Sequence, residues 1–104
     1  MTPEGTVKAR LKRKLAPLKP YLWSFWPVQT GMGGPCLDCI LCVAGRFVTI
    51  ETKRPGGKPT PRQLTTIAET IAAGGVAYVI DNNDDMDKVV ADIAELIRLW
   101  RINL

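Results

Sequence analysis

There is no histidine among the 104 residues, and that absence removes much of enzyme chemistry at once. Ser-His-Asp and Cys-His nucleophilic schemes, imidazole general bases and zinc centres built on histidine all need a ring nitrogen. Serine is nearly missing as well. Ser24 is the only one, and neither a G-x-S-x-G elbow nor a phosphate-binding P-loop surrounds a candidate nucleophile. No apolar run is long enough to span a bilayer. Pro17, Lys19 and Pro20 interrupt anything like the apolar centre of a secretory signal. Three cysteines, an odd count with no such signal, fit a reducing cytoplasm rather than a disulfide framework. Cys36-x-x-Cys39-x-x-Cys42 imitates a metal motif, but a strand sends residues three apart to opposite faces and separates the outer pair by roughly 20 Å. No fourth thiolate or imidazole is available to complete a site. These cysteines are therefore expected to be small apolar or half-buried strand residues, without a ligand or redox role.

What is present is basic charge in particular places. Residues 1–20 hold six lysines and arginines against Glu4, a net of +5, and residues 46–62 hold five against Glu51, a net of +4. Residues 81–104 carry six acidic groups against three basic ones, a net of −3. Clustered lysine and arginine suit a polyanion, because each phosphate neutralised releases condensed counterions. The plainer account of any single lysine is a solvated surface that keeps the protein soluble. The length fits one domain, residues 1–104, burying roughly two-thirds of its unfolded surface.

The pattern along the chain predicts the order α-β-β-β-α-β-α. Residues 3–18 read as a helix, with Pro3 in its first turn and Val7, Leu11, Leu15 and Leu18 as its apolar stripe, ended by Pro17 and Pro20. Residues 21–28 are aromatic and β-prone, with Pro27 marking an edge or an irregular end. Gly31, Gly33, Gly34 and Pro35 form a turn into a strand over 37–43, and a second strand covers 46–53. Thr60-Pro61-Arg62-Gln63 has the form of a capping box, opening a helix whose buried face would be Leu64, Ile67, Ala68, Ile71 and Ala72. Gly74-Gly75 ends it. Residues 76–80 are apolar throughout, as in an interior strand covered on both faces. Asp84 or Asp85 would cap a last helix carrying Val89, Ile93, Leu96, Ile97 and Trp100.

The chemistry sits on the two central strands. If Ala44-Gly45 is a two-residue hairpin loop, Val43 faces Arg46 and Asp38 comes opposite Glu51, with β-carbons about 4.5–5.5 Å apart. A three-residue loop with a bulge would send the two carboxylates to opposite faces, and Ala-Gly is a poor primed turn. Like charges facing each other need a cation, and Lys53 alternates onto the Glu51 side. Two acidic oxygen donors beside a lysine are what a hard divalent metal and a phosphodiester require.

These residues resemble a known family. The element order, Gly-x-x-x-Asp at 34–38, Glu-x-Lys at 51–53 and the Thr-Pro-x-Gln helix start at 60–63 look like the PD-(D/E)xK nuclease superfamily. Within it, the stand-alone phage-type VRR-NUC (virus-type replication-repair nuclease) group is the best fit. Gly45-Arg46-Phe47 and Ala73-Gly74-Gly75 add to the likeness, which runs from Thr2 to Asp81. One departure is that Pro35 is separated from Asp38 by Cys36-Leu37.

The resemblance implies an α/β, restriction-endonuclease-like αβββαβ core with a mixed sheet and an extra C-terminal helix. It also implies a Mg²⁺- or Mn²⁺-dependent DNA endonuclease, selective for branched or Holliday-junction-like DNA, working as a homodimer in the cytoplasm of a bacterial host that carries the phage or prophage. Asp38 and Glu51 would be metal-binding carboxylates, the Thr52 carbonyl a further ligand and Lys53 the catalytic lysine. Gln63 would help position that lysine, the water or the phosphate, and Glu4 would reach the metal. Lys8, Lys12, Arg54, Lys58 and Arg62 are the expected DNA contacts.

Plainer roles exist for two of these residues. Gln63 is explained by the capping box, and Glu4 by the helix macrodipole. Two other functions compete with the nuclease. One is a catalytically silent nucleic-acid-binding module. The other is a membrane-surface segment at 3–26, disfavoured by its prolines and its aromatic strand pattern.

Overall fold

The first helix, α1 (Pro3–Leu15), begins where Thr2 accepts a hydrogen bond from the Gly5 N–H at 3.0 Å and ends near Pro17. The computed structural model describes residues 2–27 and 37–103. The expected helix over 3–18 stops being α-helical at Leu15 and tightens into a 3₁₀ turn at Ala16–Leu18. Proline accounts for this: it lacks the N–H that an α-turn needs and its ring crowds the carbonyl four residues back. Val7, Leu11 and Leu15 are buried as the stripe requires.

Four strands follow the order β1-β2-β3-β4 in one sheet. These are β1 (Leu22–Phe25), β2 (Cys39–Val43), β3 (Arg46–Thr52) and β4 (Val76–Ile80). The first three are antiparallel, and β4 runs parallel to β3 after the crossover helix α2 (Pro61–Ala72). This is the mixed-sheet α/β architecture, in the αβββαβ order with an extra C-terminal helix, expected from the sequence. β1 is shorter than the expected 21–28: Trp26 and Pro27 lie beyond it, and Val28 falls outside the described residues, as do the Gly31–Pro35 turn and Cys36.

The β2–β3 connection is the two-residue loop, with Val43 paired to Arg46. Ala44 and Gly45 take φ of +51° and +84°, the paired positive values of a type I′ turn. Alanine is sterically strained there, but the flanking strands fix the register strongly enough to impose it.

The core lies between the sheet and two helices. Leu41, Val43, Val48, Ile50 and Ile80 meet Val7, Leu11 and Leu15 of α1 and Met86, Val89, Ile93 and Ile97 of α3 (Asn83–Ile102). Cys39 is buried in this cluster and Cys42 is exposed, the opposite orientations that strand alternation demands. The cap of α3 is Asn82 rather than Asp84 or Asp85: its side chain accepts from the Asp85 N–H at 2.8 Å. The two aspartates lie in the first turn, where the helix dipole favours them. Trp100, expected on the apolar face, is exposed and meets Tyr21 edge-on at 6.3 Å.

Two expectations fail on the other side of the sheet. α2 buries none of the residues assigned to its apolar face: Leu64 and Ile71 are 53% and 57% exposed, and half-buried Gln63, Thr66, Ile67 and Thr70 mark the inner side. β4 is an edge strand, half-buried over most of its length, rather than an interior one. An unbroken apolar run looks the same whether a second strand or nothing lies beyond its edge. Among the described residues no helix is long and apolar enough to cross a membrane.

Candidate metal centre at the end of the sheet

The β2–β3 register, continued one step past Cys39–Ile50, brings Asp38 alongside Glu51. Both side chains are drawn into the protein, with Asp38 7% and Glu51 1% exposed. They are held there in a reciprocal way. The Asp38 N–H donates to Glu51 Oε2 at 3.2 Å, while Asp38 Oδ2 accepts from the N–H of Thr52 at 3.0 Å and from its hydroxyl at 2.8 Å. Each carboxylate is therefore fixed by the strand that carries the other.

Helix α1 closes this end of the sheet. Oxygens of Glu4, Asp38 and Glu51 all lie within 4.8 Å of one another, close enough to share one cation. Three hard oxygen donors fit Mg²⁺ or Mn²⁺ far better than a soft metal. Burial, and after it the charge of Asp38, pushes Glu51 up from 4.5 to about 7, and Lys53 offsets only part of this. A cation between the carboxylates would remove that penalty.

The other predicted residues surround the pair. Lys53 Nζ stands 3.6 Å from Glu51 Oε1, and the Lys53 N–H donates to the Ile80 carbonyl at 2.8 Å, anchoring the backbone past the end of β3. Gln63 makes the capping contact expected of it and also reaches Glu51. Its side-chain carbonyl accepts from the Thr60 N–H at 2.9 Å, completing the capping box, and its amide donates to Glu51 Oε1 at 2.8 Å. Capping thus orients the amide toward the carboxylate. Thr52 touches the site through its N–H and hydroxyl, which brace Asp38, a part that strand spacing alone does not suggest.

Lys8 is the other residue placed unexpectedly: its Nζ lies 3.7 Å from Asp38 Oδ1. A signal for it exists in the i, i+4 spacing from Glu4, which puts both on one face of α1. Lys12 instead lies over the Trp26 ring at 4.7 Å. Arg54, Lys58 and Arg62 are exposed around the loop after β3. That loop is tied to the end of β4 where the Gly56 N–H donates to Asp81 Oδ2 at 3.2 Å.

No family model and no curated protein matches this sequence. Among solved structures, one titled "VRR_NUC domain" superposes with a TM-score of 0.74, covering 88% of this chain and 97% of its own at 22% identity. With a mixed four-stranded sheet, a crossover helix before β4 and a superposition of that extent, the chain has the fold of a VRR_NUC domain.

Proposed function

We propose that residues 1–104 act as one VRR-NUC-like nuclease domain, a metal-dependent endonuclease that hydrolyses DNA phosphodiesters with selectivity for branched or Holliday-junction-like structures. The observation that carries this reading is the convergence of Glu4, Asp38 and Glu51 oxygens within 4.8 Å, with Lys53 at 3.6 Å from Glu51. Asp38, Glu51 and Glu4 would hold Mg²⁺ or Mn²⁺, joined by the Thr52 carbonyl. A divalent cation bound there supplies Lewis acidity toward the phosphate and lowers the pKa of an attacking water.

The chain's own groups do the rest. Thr52 fixes Asp38, and the capping box aims Gln63 at Glu51, so the carboxylates are positioned before substrate arrives. Lys53 places positive charge next to Glu51, where it supports the water or a non-bridging phosphate oxygen. Lys8, Lys12, Arg54, Lys58 and Arg62 contact the DNA backbone, and phosphate contacts carry little sequence information. Selection by DNA shape follows from that.

A homodimer fits the surface left uncovered. Leu64 and Ile71 on α2 are exposed, as are Trp23, Phe25 and Phe47 on the sheet, and apolar area of this kind commonly marks an interface. Leu64→Glu with Ile71→Glu is expected to yield a monomer by analytical ultracentrifugation if α2 forms the contact.

The deciding experiment is cleavage of four-way junctions and linear duplex in Mg²⁺ or Mn²⁺ by wild type, Asp38→Ala, Glu51→Ala and Lys53→Ala. Wild type is expected to cut, and each variant to lose at least about a hundredfold in rate, on the order expected for a lost electrostatic group at the reacting centre. Salt-sensitive DNA binding without cleavage in either metal would instead identify a silent binding module.

A further inference from the structure

We propose that Lys8 is a tethered counter-cation of the acidic pocket, its ammonium competing with a divalent cation for Asp38 Oδ1 and so setting how readily the site loads. The proposal rests on the metal-site reading above and adds to it a control on occupancy.

Its basis is the way Asp38's two oxygens are divided. Oδ2 is committed to the N–H and hydroxyl of Thr52. Oδ1 carries no such bond to Thr52, and Lys8 Nζ lies 3.7 Å from it at the rim of the Glu4–Asp38–Glu51 cluster. Glu4 and Lys8 sit one turn apart on α1, so the same helix face delivers a carboxylate to the cluster and an ammonium to its rim.

Lys53 cannot play this part. It stands on the Glu51 side, at Oε1, with its side chain only 14% exposed, whereas the Lys8 side chain is 35% exposed and nearer solvent. A four-carbon stem with three rotatable donors can withdraw from such a position.

Two charged oxygens in a desolvated pocket are costly without positive charge nearby, and Lys8 supplies one unit of it in the metal-free protein. A divalent cation supplies two. The two cations repel at contact distance, so entry of one displaces the other. A displaced Lys8 then faces outward, where a DNA phosphate contact becomes possible.

The test is calorimetric titration of the full chain with MnCl₂, without DNA, for wild type, Lys8→Met, Lys8→Ala, Lys8→Arg and Asp38→Asn. Removing the charge is expected to tighten Mn²⁺ binding about two- to fivefold in both Lys8→Met and Lys8→Ala, the scale of a partly exposed ion pair. Lys8→Arg is expected to bind like wild type, and Asp38→Asn to lose binding. A merely structural Lys8 predicts weaker binding in the neutral variants, so unchanged or weakened Mn²⁺ binding there overturns the competition while leaving the metal site standing. Tightening by Lys8→Arg equal to that of Lys8→Met overturns the role of charge. Absence of binding in wild type and neutral variants alike overturns both the metal site and the competition.

Discussion

Replacing Glu51 by glutamine should make the metal-free protein more stable at alkaline pH, although it removes a residue at the centre of the proposed site. The Glu51 carboxyl titrates near 7 in the folded protein, raised from 4.5 by burial and by the Asp38 charge beside it. Between these two values the folded state holds more protons than the unfolded chain. Stability from this group is therefore fully present below about pH 4.5 and is lost as pH rises through about 7. At about 1.4 kcal/mol per unit the ceiling is about 3 kcal/mol. Screening through the neighbouring Lys53 ammonium and the open mouth of the pocket brings the expected loss to about 2 kcal/mol.

The amide introduced by Glu51→Gln imitates the protonated carboxyl at every pH. Both are neutral and keep one carbonyl oxygen as acceptor, whereas the ionised Glu51 accepts from Asp38 and Gln63 through two. Urea unfolding in EDTA at pH 4.5, 6, 7 and 8.5 measures the difference. The two proteins should nearly coincide at pH 4.5, with Glu51→Gln ahead by about 2 kcal/mol at pH 8.5. With no histidine in the chain, few other groups titrate between. Adding Mn²⁺ should reverse the order, because a ligand at about a hundred times its Kd stabilises wild type by about 2.7 kcal/mol and the variant hardly at all. A stability difference that stays flat from pH 4.5 to 8.5 would refute the account of Glu51 as a desolvated carboxylate.

Thr52→Val keeps the shape but removes the hydroxyl that braces Asp38 Oδ2; Mn²⁺ affinity by calorimetry should fall about tenfold, the usual scale for losing a ligand's supporting hydrogen bond. Thr60→Ala should cost about 1 kcal/mol in urea unfolding with cleavage largely retained, whereas Gln63→Ala should cost a similar amount and also slow cleavage, because only Gln63 reaches Glu51. Ala44→Asn should raise stability by about 0.5–1 kcal/mol, seen as a higher Tm, since asparagine tolerates the left-handed conformation that alanine adopts there under strain. Lys58→Gln and Arg62→Gln should each reduce the slope of log affinity against log salt by about 1 for duplex and junction DNA alike.

The parts of this protein legible in its sequence are those governed by short-range rules. Strand alternation and the hairpin loop suffice to pair Val43 with Arg46 and bring Asp38 beside Glu51, even though the loop pairs an alanine with a conformation it disfavours. Capping chemistry locates the start of α2 to the residue. What fails is the inference about the space beyond α2 and β4. Leu64 and Ile71 repeat at helical spacing as core residues do, yet periodicity reports only that a helix has an apolar side, and cannot say whether the covering surface belongs to the same chain. The apolar run of β4 points to the interior and lies at an edge for the same reason.

The site shows both regimes within a few ångströms. Asp38, Glu51 and Lys53 can be assembled from strand spacing, but the contact of Lys8 emerges only when α1 is laid across the end of the sheet, and that of Thr52 only when each oxygen of Asp38 is assigned a partner. A carboxylate has two oxygens with separate obligations. Sequence motifs name the residue, whereas the question of which oxygen remains available to a cation, and what now stands in front of it, is decided by three-dimensional packing. That division makes Thr52 and Lys8 opposite controls on Asp38: one holds Oδ2 in place, and the other guards Oδ1. Thr52→Val should accordingly loosen Mn²⁺ binding and Lys8→Met should tighten it, and the double variant should fall between them if the two act on separate oxygens.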